Sequence, residues 1–346
     1  MTAVTSLTER DFTCDVCRSP VAFENVRCLS CDSELAFSVS ARRVVARRPE
    51  GERRCRNHEV ASCNWLAGHE DGDGLCLSCR LTRTRPNDAD TDAHPAFVRA
   101  EAAKRRLVYQ LLDLGLPVVP WMDDADAGLA VDLLSSRDEP VVTGHADGVI
   151  TLDLAEGDDP HREAVRISLG EPYRTLLGHL RHESGHYYWQ RLAGAPERVG
   201  GFRELFGDER ADYQEAVERH YDQGPPVGWE SEHVSAYATM HPWEDWAETF
   251  AHYLHLRDML QTADSYGLRA SDPAARTGDE DDPTGPTASG VQELVDLWLP
   301  LSYGLNAVNR SMGKADLYPF VLTPRVIAKL DAVHAAVLSH SPDLPR

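Results

Sequence analysis

The chain has 346 residues, 42% of them hydrophobic, and a formal net charge of −21. That length supports one large domain with a small one, or two of moderate size. No apolar run reaches the ~20 residues of a membrane span, so no membrane partner is expected, and the acidity argues against nucleic acid as a partner of the larger part. The charge is uneven: residues 1–106 carry 17 basic and 16 acidic side chains, and residues 107–346 carry 18 against 40. The opening stretch MTAVTSLTERDFTCD lacks the basic and apolar regions of an export signal, and a cytoplasmic protein is expected.

Residues 1–85 hold all eight cysteines. Cys14 and Cys17 form one Cys-x-x-Cys pair, Cys28 and Cys31 a second, and Cys76 and Cys79 a third, with Cys55 and Cys63 between. Without an export signal a disulfide framework is disfavoured. Four thiolates close a tetrahedral zinc shell, and the count fits two such sites, both structural because a closed shell leaves no place for substrate. We assign the cysteines sequentially; an interleaved arrangement, or His58 in place of one thiolate, stays open. The stretch ARRVVARRPEGERRCR, with seven arginines, reads as a solvated face or as a surface for an acidic partner.

Residues 86–94, PNDADTDAH, read as a linker. AFVRAEAAKRRLVYQLLDLGL then has the apolar spacing of a helix, with Gly115 near its end. VVTGHADGVITLDLAE reads as two strands about an Asp147–Gly148 turn. DDPHREAVRISL and EPYRTLLGHLRHESGHYYWQRLAG read as helices with Pro160 and Pro172 near their starts. FGDERADYQEAVERHY and HPWEDWAETFAHYLHLRDML are expected to follow as helices. Residues 270–290 are acidic and rich in Pro and Gly, as in a mobile loop, and the remainder returns to helix.

Within LRHESGHYYW, His182, Glu183 and His186 spell His-Glu-x-x-His. On a helix, residues i and i+4 share a face, so both imidazoles can reach one ion. Glu183 lies about 100° round, where a carboxylate can take the proton of a water activated by zinc. Such a centre needs a third protein ligand and an open fourth position. SAYATMHPWEDWAETFAHY supplies candidates: Pro242 can start a helix on which Glu244 and Glu248 lie four apart, beside Trp243, Trp246 and Phe250. One can bind the metal while the other accepts a hydrogen bond from a ligand histidine. A start at Pro242 puts Glu244 in the first turn and Glu248 one turn deeper, which favours Glu244 as the ligand.

The pattern Glu-x-x-Ala-Glu-x-Phe-Ala at 244–251, following His-Glu-x-Gly-His, resembles the gluzincin group of zinc peptidases. That resemblance also implies Glu244 as ligand and Glu248 as its hydrogen-bonding partner to histidine. It further implies a role for Tyr237, seven residues before Glu244, as a phenol donating to the oxyanion; a packed aromatic is the plain alternative. More closely, FENVRCLSC, CNWL, LCLSCRLTRT, EPYRTLLGHLRHESGHYYW, SAYATMHPWEDWAETFAHYLH and LYPFVLTP resemble the bacterial zinc-binding metallopeptidases that carry an N-terminal zinc-ribbon domain.

The reading is therefore an α+β protein: a zinc-ribbon module over residues 1–85, then a mainly helical, zincin-like metallopeptidase domain with a small sheet over residues 95–346. It expects three Zn2+, one catalytic and two structural, and a protein or peptide substrate cleaved at a peptide or isopeptide bond. A further protein partner can dock through the ribbon, and the VITLDLAE strand can offer an edge to an extended peptide. Two other readings stay open: a non-catalytic zinc-ribbon adaptor, and a nucleic-acid-associated factor acting through the arginine-rich segment.

Overall fold

The structure is a computed structural model that describes residues 12–47, 53–68, 72–137, 139–169, 173–270 and 290–340. Most of the acidic stretch, Pro172 and part of the arginine-rich segment lie outside the described residues. The fold is α+β, mainly helical with two small sheets. Contacts divide it into two compact units, one of Arg10–Leu169 with Arg174–Leu180, the other chiefly Arg181–Arg346.

In the first unit, β1 (Leu35–Ser38) and β2 (Arg43–Ala46) form an antiparallel hairpin. Phe23 lies at its centre, with ring centroids 5.2 Å from Phe37, 6.3 Å from Trp65 and 5.2 Å from Tyr109. Tyr109 belongs to α2 (His94–Asp113), so the cysteine-rich segment completes its small core with a helix from beyond the expected linker. The same helix sends Arg105 to the carbonyls of Ala61 and Ser62 (3.2 and 3.3 Å). Its buried Glu101 accepts from Lys104 Nζ (2.7 Å) and Thr82 Oγ1 (2.6 Å), since charges out of water need partners. By its contacts the compact unit thus runs past residue 85, with Tyr109 and Arg105 of α2 packed on the cysteine-rich segment.

After α1 (Leu77–Arg80) comes a four-stranded sheet of β3 (Thr82–Thr84), β4 (Ala130–Leu134), β5 (Gly144–Ala146) and β6 (Val149–Asp153). Its order is β3-β4-β6-β5, parallel except for the β5–β6 hairpin. Asp147 and Gly148 both have positive φ (48° and 79°), the backbone that a two-residue hairpin turn requires. One expectation is corrected here. The VITLDLAE strand is β6, paired on both sides, so it offers no free edge; the edges are β3 and β5. The helix α3 (Asp159–Leu169) follows.

The helix α4 (Leu176–Leu192) carries the His-Glu-x-x-His residues. After it come α5 (Val199–Phe206), α6 (Tyr213–Gln223), α7 (Pro242–Ser265), α8 (Val291–Ser311) and α9 (Pro324–His340). The helix expected from Phe206 begins only at Tyr213. Gly207, at φ 102°, ends α5, a helix absent from the sequence reading, and Asp212 Oδ1 caps α6 by accepting from Glu215 N (2.9 Å). The central helix is α7, which buries Trp246, Phe250, Tyr253, Leu254, Leu256 and Leu260. It also buries the polar Glu244, Asp245, Thr249, His252 and Gln261, so it lies in the core with its polar side chains enclosed. Lys329 of α9 reaches it from the far side, donating to Asp245 Oδ2 and to the Glu232 carbonyl (2.6 Å each). Among the described residues no helix is long and apolar enough to cross a membrane.

The helices α4 and α7 cross antiparallel, as three pairings show. Arg181 donates to His255 Nδ1 (2.7 Å) and Asp258 Oδ2 (2.5 Å). Trp246 Nε1 donates to the Gly185 carbonyl (3.0 Å), and Trp189 packs on Trp243, centroids 5.5 Å apart. At the crossing the helices nearly touch: a Cβ at Gly185 would lie 2.9 Å from Ala247 Cα and 3.2 Å from Phe250 Cβ. Alanine favours a helix over glycine by about 1 kcal/mol, whereas overpacking against backbone costs about 1–3 kcal/mol. Gly185→Ala should therefore lower the thermal midpoint by several degrees despite its better helix propensity. An unchanged or raised midpoint in calorimetry would show that the helices are not in close contact there.

Candidate metal centres

The eight cysteines gather into two clusters, Cys14/Cys17/Cys28/Cys31 and Cys55/Cys63/Cys76/Cys79. The first is built from two copies of one turn. Cys14 N donates to Ser19 O and Arg18 N to Cys14 O; Cys28 N donates to Ser33 O and Asp32 N to Cys28 O, all at 2.8–2.9 Å. Arg18 and Asp32 take the same left-handed conformation, φ 63° and 62°, so CDVCRS and CLSCDS fold alike. The second cluster is irregular. Cys76 caps α1, its sulfur facing Cys79 N at 3.5 Å, and Cys55 Sγ accepts from Cys76 N at 3.3 Å. Backbone donors of this kind stabilise thiolate over thiol. His58 is outside both clusters and half-exposed.

These sulfur positions fit a tetrahedral ion. Zn–S bonds of about 2.3 Å imply tetrahedral S···S edges of about 3.8 Å. The observed pairs are Cys14–Cys31 at 3.7 Å, Cys17–Cys28 at 3.5 Å and Cys63–Cys76 at 3.6 Å. Four sulfurs that close, with free thiols and no disulfide, form a closed shell of soft donors suited to zinc.

The third cluster lies where α4 meets α7. Ligand atoms of His182, Glu183 and His186 fall within 4.8 Å of one another. Glu244 Oε2 is 2.9 Å from His182 Nε2 and 3.3 Å from His186 Nε2, and the two Nε2 atoms are 3.2 Å apart. Zinc bonds of about 2.0–2.1 Å to nitrogen and oxygen give tetrahedral edges of about 3.3–3.4 Å, so these three atoms already form nearly one face of such a tetrahedron. Behind them, His182 Nδ1 pairs with Glu248 Oε1 (2.7 Å), and Glu248 Oε2 accepts from Ser235 Oγ (2.5 Å). Ser235 Oγ also accepts from Ala238 N (3.1 Å), which secures the 3-10 turn Tyr237–Thr239. Tyr237 packs against His182, centroids 5.8 Å apart.

The electrostatics fit a cation at the same point. Burial opposes charge on His182, yet Glu244 and Glu248 hold its pKa well above the usual histidine value. Burial likewise opposes ionisation of Glu244, and the imidazoles of His186 and His182 outweigh it, holding the carboxyl well below its usual range. Glu248, also raised by burial, is drawn down to about 2 chiefly by His182. Glu183 is pushed up by burial, against the pull of His182 and His186. Burial, then the Glu244 charge, pushes up the phenols of Tyr213 and Tyr237. Three carboxylates and two imidazoles therefore favour positive charge between them, whether a proton or a metal ion.

The side chain of Glu248, one turn further along α7, is 19% exposed and that of Glu244 only 2%. The crossing aims Glu244 inward against both imidazoles and leaves Glu248 to one side. Tyr213 and Ser235, which contact Glu244 and Glu248, were not anticipated. Neither stands at a spacing that links it to the histidines, and only the path of the chain brings them in.

The chain was compared with known proteins. The family described as "Putative zinc-binding metallo-peptidase" matches residues 93–336, and a zinc-ribbon domain family matches residues 11–90. Relatives include the "Uncharacterized protein Rv2568c" of Mycobacterium tuberculosis (strain ATCC 25618 / H37Rv) and the "Uncharacterized protein Mb2598c" of Mycobacterium bovis. Each is 52% identical over 336 residues, covering 96% of this chain and 97% of its own. No solved structure matches. The two closed thiolate clusters and the His-His-Glu cluster thus sit in a chain that belongs to the zinc-binding metallo-peptidase family and carries an N-terminal zinc-ribbon domain.

Proposed function

We propose that this protein is a zinc-dependent metallopeptidase of gluzincin type that hydrolyses peptide or isopeptide bonds in a protein or peptide substrate. The observation that carries the reading is the His182 Nε2, His186 Nε2 and Glu244 Oε2 triangle, 2.9–3.3 Å on a side, with the Glu183 carboxylate beside it. These three atoms would hold the ion, leaving a fourth position for water or substrate. When bound, zinc supplies a Lewis acid that lowers the pKa of water and polarises a carbonyl.

The chain's own residues supply the rest. Glu183 takes the proton of the attacking water and passes it to the leaving nitrogen. Burial raises this carboxyl against the pull of His182 and His186, and a dication held by those imidazoles would favour its ionised form. Glu248 accepts Nδ1–H of His182, which fixes the tautomer and leaves Nε2 for the metal. Tyr237, against His182, can donate to the oxyanion as charge develops. Residues 95–346 carry the reaction on this reading, and the ribbon of residues 1–85 holds two structural ions and can receive a protein partner. Eight reduced cysteines suit the cytoplasm.

A zinc-holding scaffold without turnover has no need of Glu183. Glu183→Gln should keep the fold and metal content but lower turnover about 10²–10⁴-fold, the usual worth of a general base. Normal cleavage by that variant would overturn the mechanism. Metal analysis should return about three zinc per chain, one leaving first under a mild chelator because an open shell exchanges faster than a closed one. Two or fewer ions, with the α4–α7 centre empty, would remove the basis for catalysis. Glu244→Ala should empty the centre, whereas Glu248→Ala should weaken its affinity only about 10–100-fold. Zinc titration of both variants checks the order, and a larger loss in the Glu248 variant would reverse the assignment.

A further inference from the structure

We propose that Tyr213 is a positioning residue whose phenol holds Glu244 so that a single carboxylate oxygen faces the metal. The proposal rests on the ligand set given above. Tyr213 Oη donates to Glu244 Oε1 at 2.8 Å, while Oε2 of the same carboxylate faces His182 and His186 at 2.9 and 3.3 Å. The two oxygens therefore have separate partners. A carboxylate can bind an ion through one oxygen or both, and a glutamate has three side-chain torsions with which to change. The phenol removes that freedom at Oε1 and so protects the open coordination position that hydrolysis requires.

The position of Tyr213 is itself fixed. It is the first residue of α6, directly after the Asp212 cap. Its ring packs on His241, centroids 5.3 Å apart. His241 caps α7 by accepting from Trp243 N at Nδ1 (3.1 Å), and its Nε2 lies 3.1 Å from the Ala211 carbonyl. The starts of α6 and α7 are thus braced together at the turn that carries Glu244. Tyr213 remains 41% exposed, so loss of its hydroxyl should leave the fold intact, and Tyr213→Phe keeps the ring on His241.

The test is metal binding to the full-length protein. Tyr213→Phe should bind zinc at the α4–α7 centre about 10–100-fold more weakly, with the two ribbon ions retained. With cobalt in that centre, the visible absorption should weaken as both Glu244 oxygens engage and the coordination number rises. A merely structural tyrosine would not change this spectrum. Unchanged zinc affinity and an unchanged cobalt spectrum would overturn the proposal. Glu244→Ala, measured alongside, separates the two levels. If it still binds zinc at the centre, the ligand set is wrong; if it is empty while Tyr213→Phe binds as tightly as the parent, only the role of Tyr213 fails.

Discussion

The arrangement of the centre depends on one close contact, the crossing of α4 and α7 at Gly185 and Ala247. With no side chain at Gly185, the backbone of α7 comes within van der Waals reach, and Trp246 bonds to the Gly185 carbonyl. Because the helices run antiparallel, His182 and His186 meet the turn of α7 that begins at Pro242 and carries Glu244 and Glu248. Arg181 with Asp258 holds one end of the crossing, and Trp189 with Trp243 the other. A larger residue in the middle would separate imidazoles from carboxylates that now stand about 3 Å apart, and donor atoms must be placed to a few tenths of an ångström to share an ion.

The described residues offer a metal two different kinds of site. The ribbon clusters are closed: four sulfurs surround each position, helped by backbone N–H groups, and one cluster is made from a repeated turn. The α4–α7 cluster brings His182 Nε2, His186 Nε2 and Glu244 Oε2 together with the Glu183 carboxylate nearby, and with Glu248 its three glutamates outnumber its two imidazoles. Closed shells of thiolate stabilise a small segment. An open, oxygen-containing shell leaves the ion reactive. The two kinds of site are separated along the sequence just as the charge is, with every cysteine on the neutral side and the His-His-Glu cluster on the acidic side.

Much of this was legible in the sequence because it depends on short periods. Cys-x-x-Cys spacing, the four-residue step from His182 to His186 and that from Glu244 to Glu248 each reflect one local turn. The Asp147–Gly148 hairpin and the start of α7 at Pro242 were legible for the same reason. What could not be read was set by long-range geometry. Whether VITLDLAE lies at an edge depends on β4, which pairs with it from elsewhere in the chain. The burial of Glu244 relative to Glu248 depends on the rotation of α7 against α4. Tyr213 reaches Glu244 from α6, a separate helix 31 residues away in the chain. The domain boundary was drawn at a linker by composition, and α2 then contributed Tyr109 and Arg105 to the packing of the segment before it.

The Lys329–Asp245 pair bears on how such a molecule is made. Asp245 adjoins Glu244 and is almost wholly buried, and the lysine that faces it comes from α9, near the end of the chain. During synthesis the cysteines emerge first, all before residue 80, and can take up zinc while the ribosome is still working. The helix bearing Glu244 gains its buried counter-charge only when α9 has been translated. In chain order the cysteine clusters therefore precede the α9 lysine that supplies the counter-charge beside Glu244, and they can form before the α4–α7 cluster is complete.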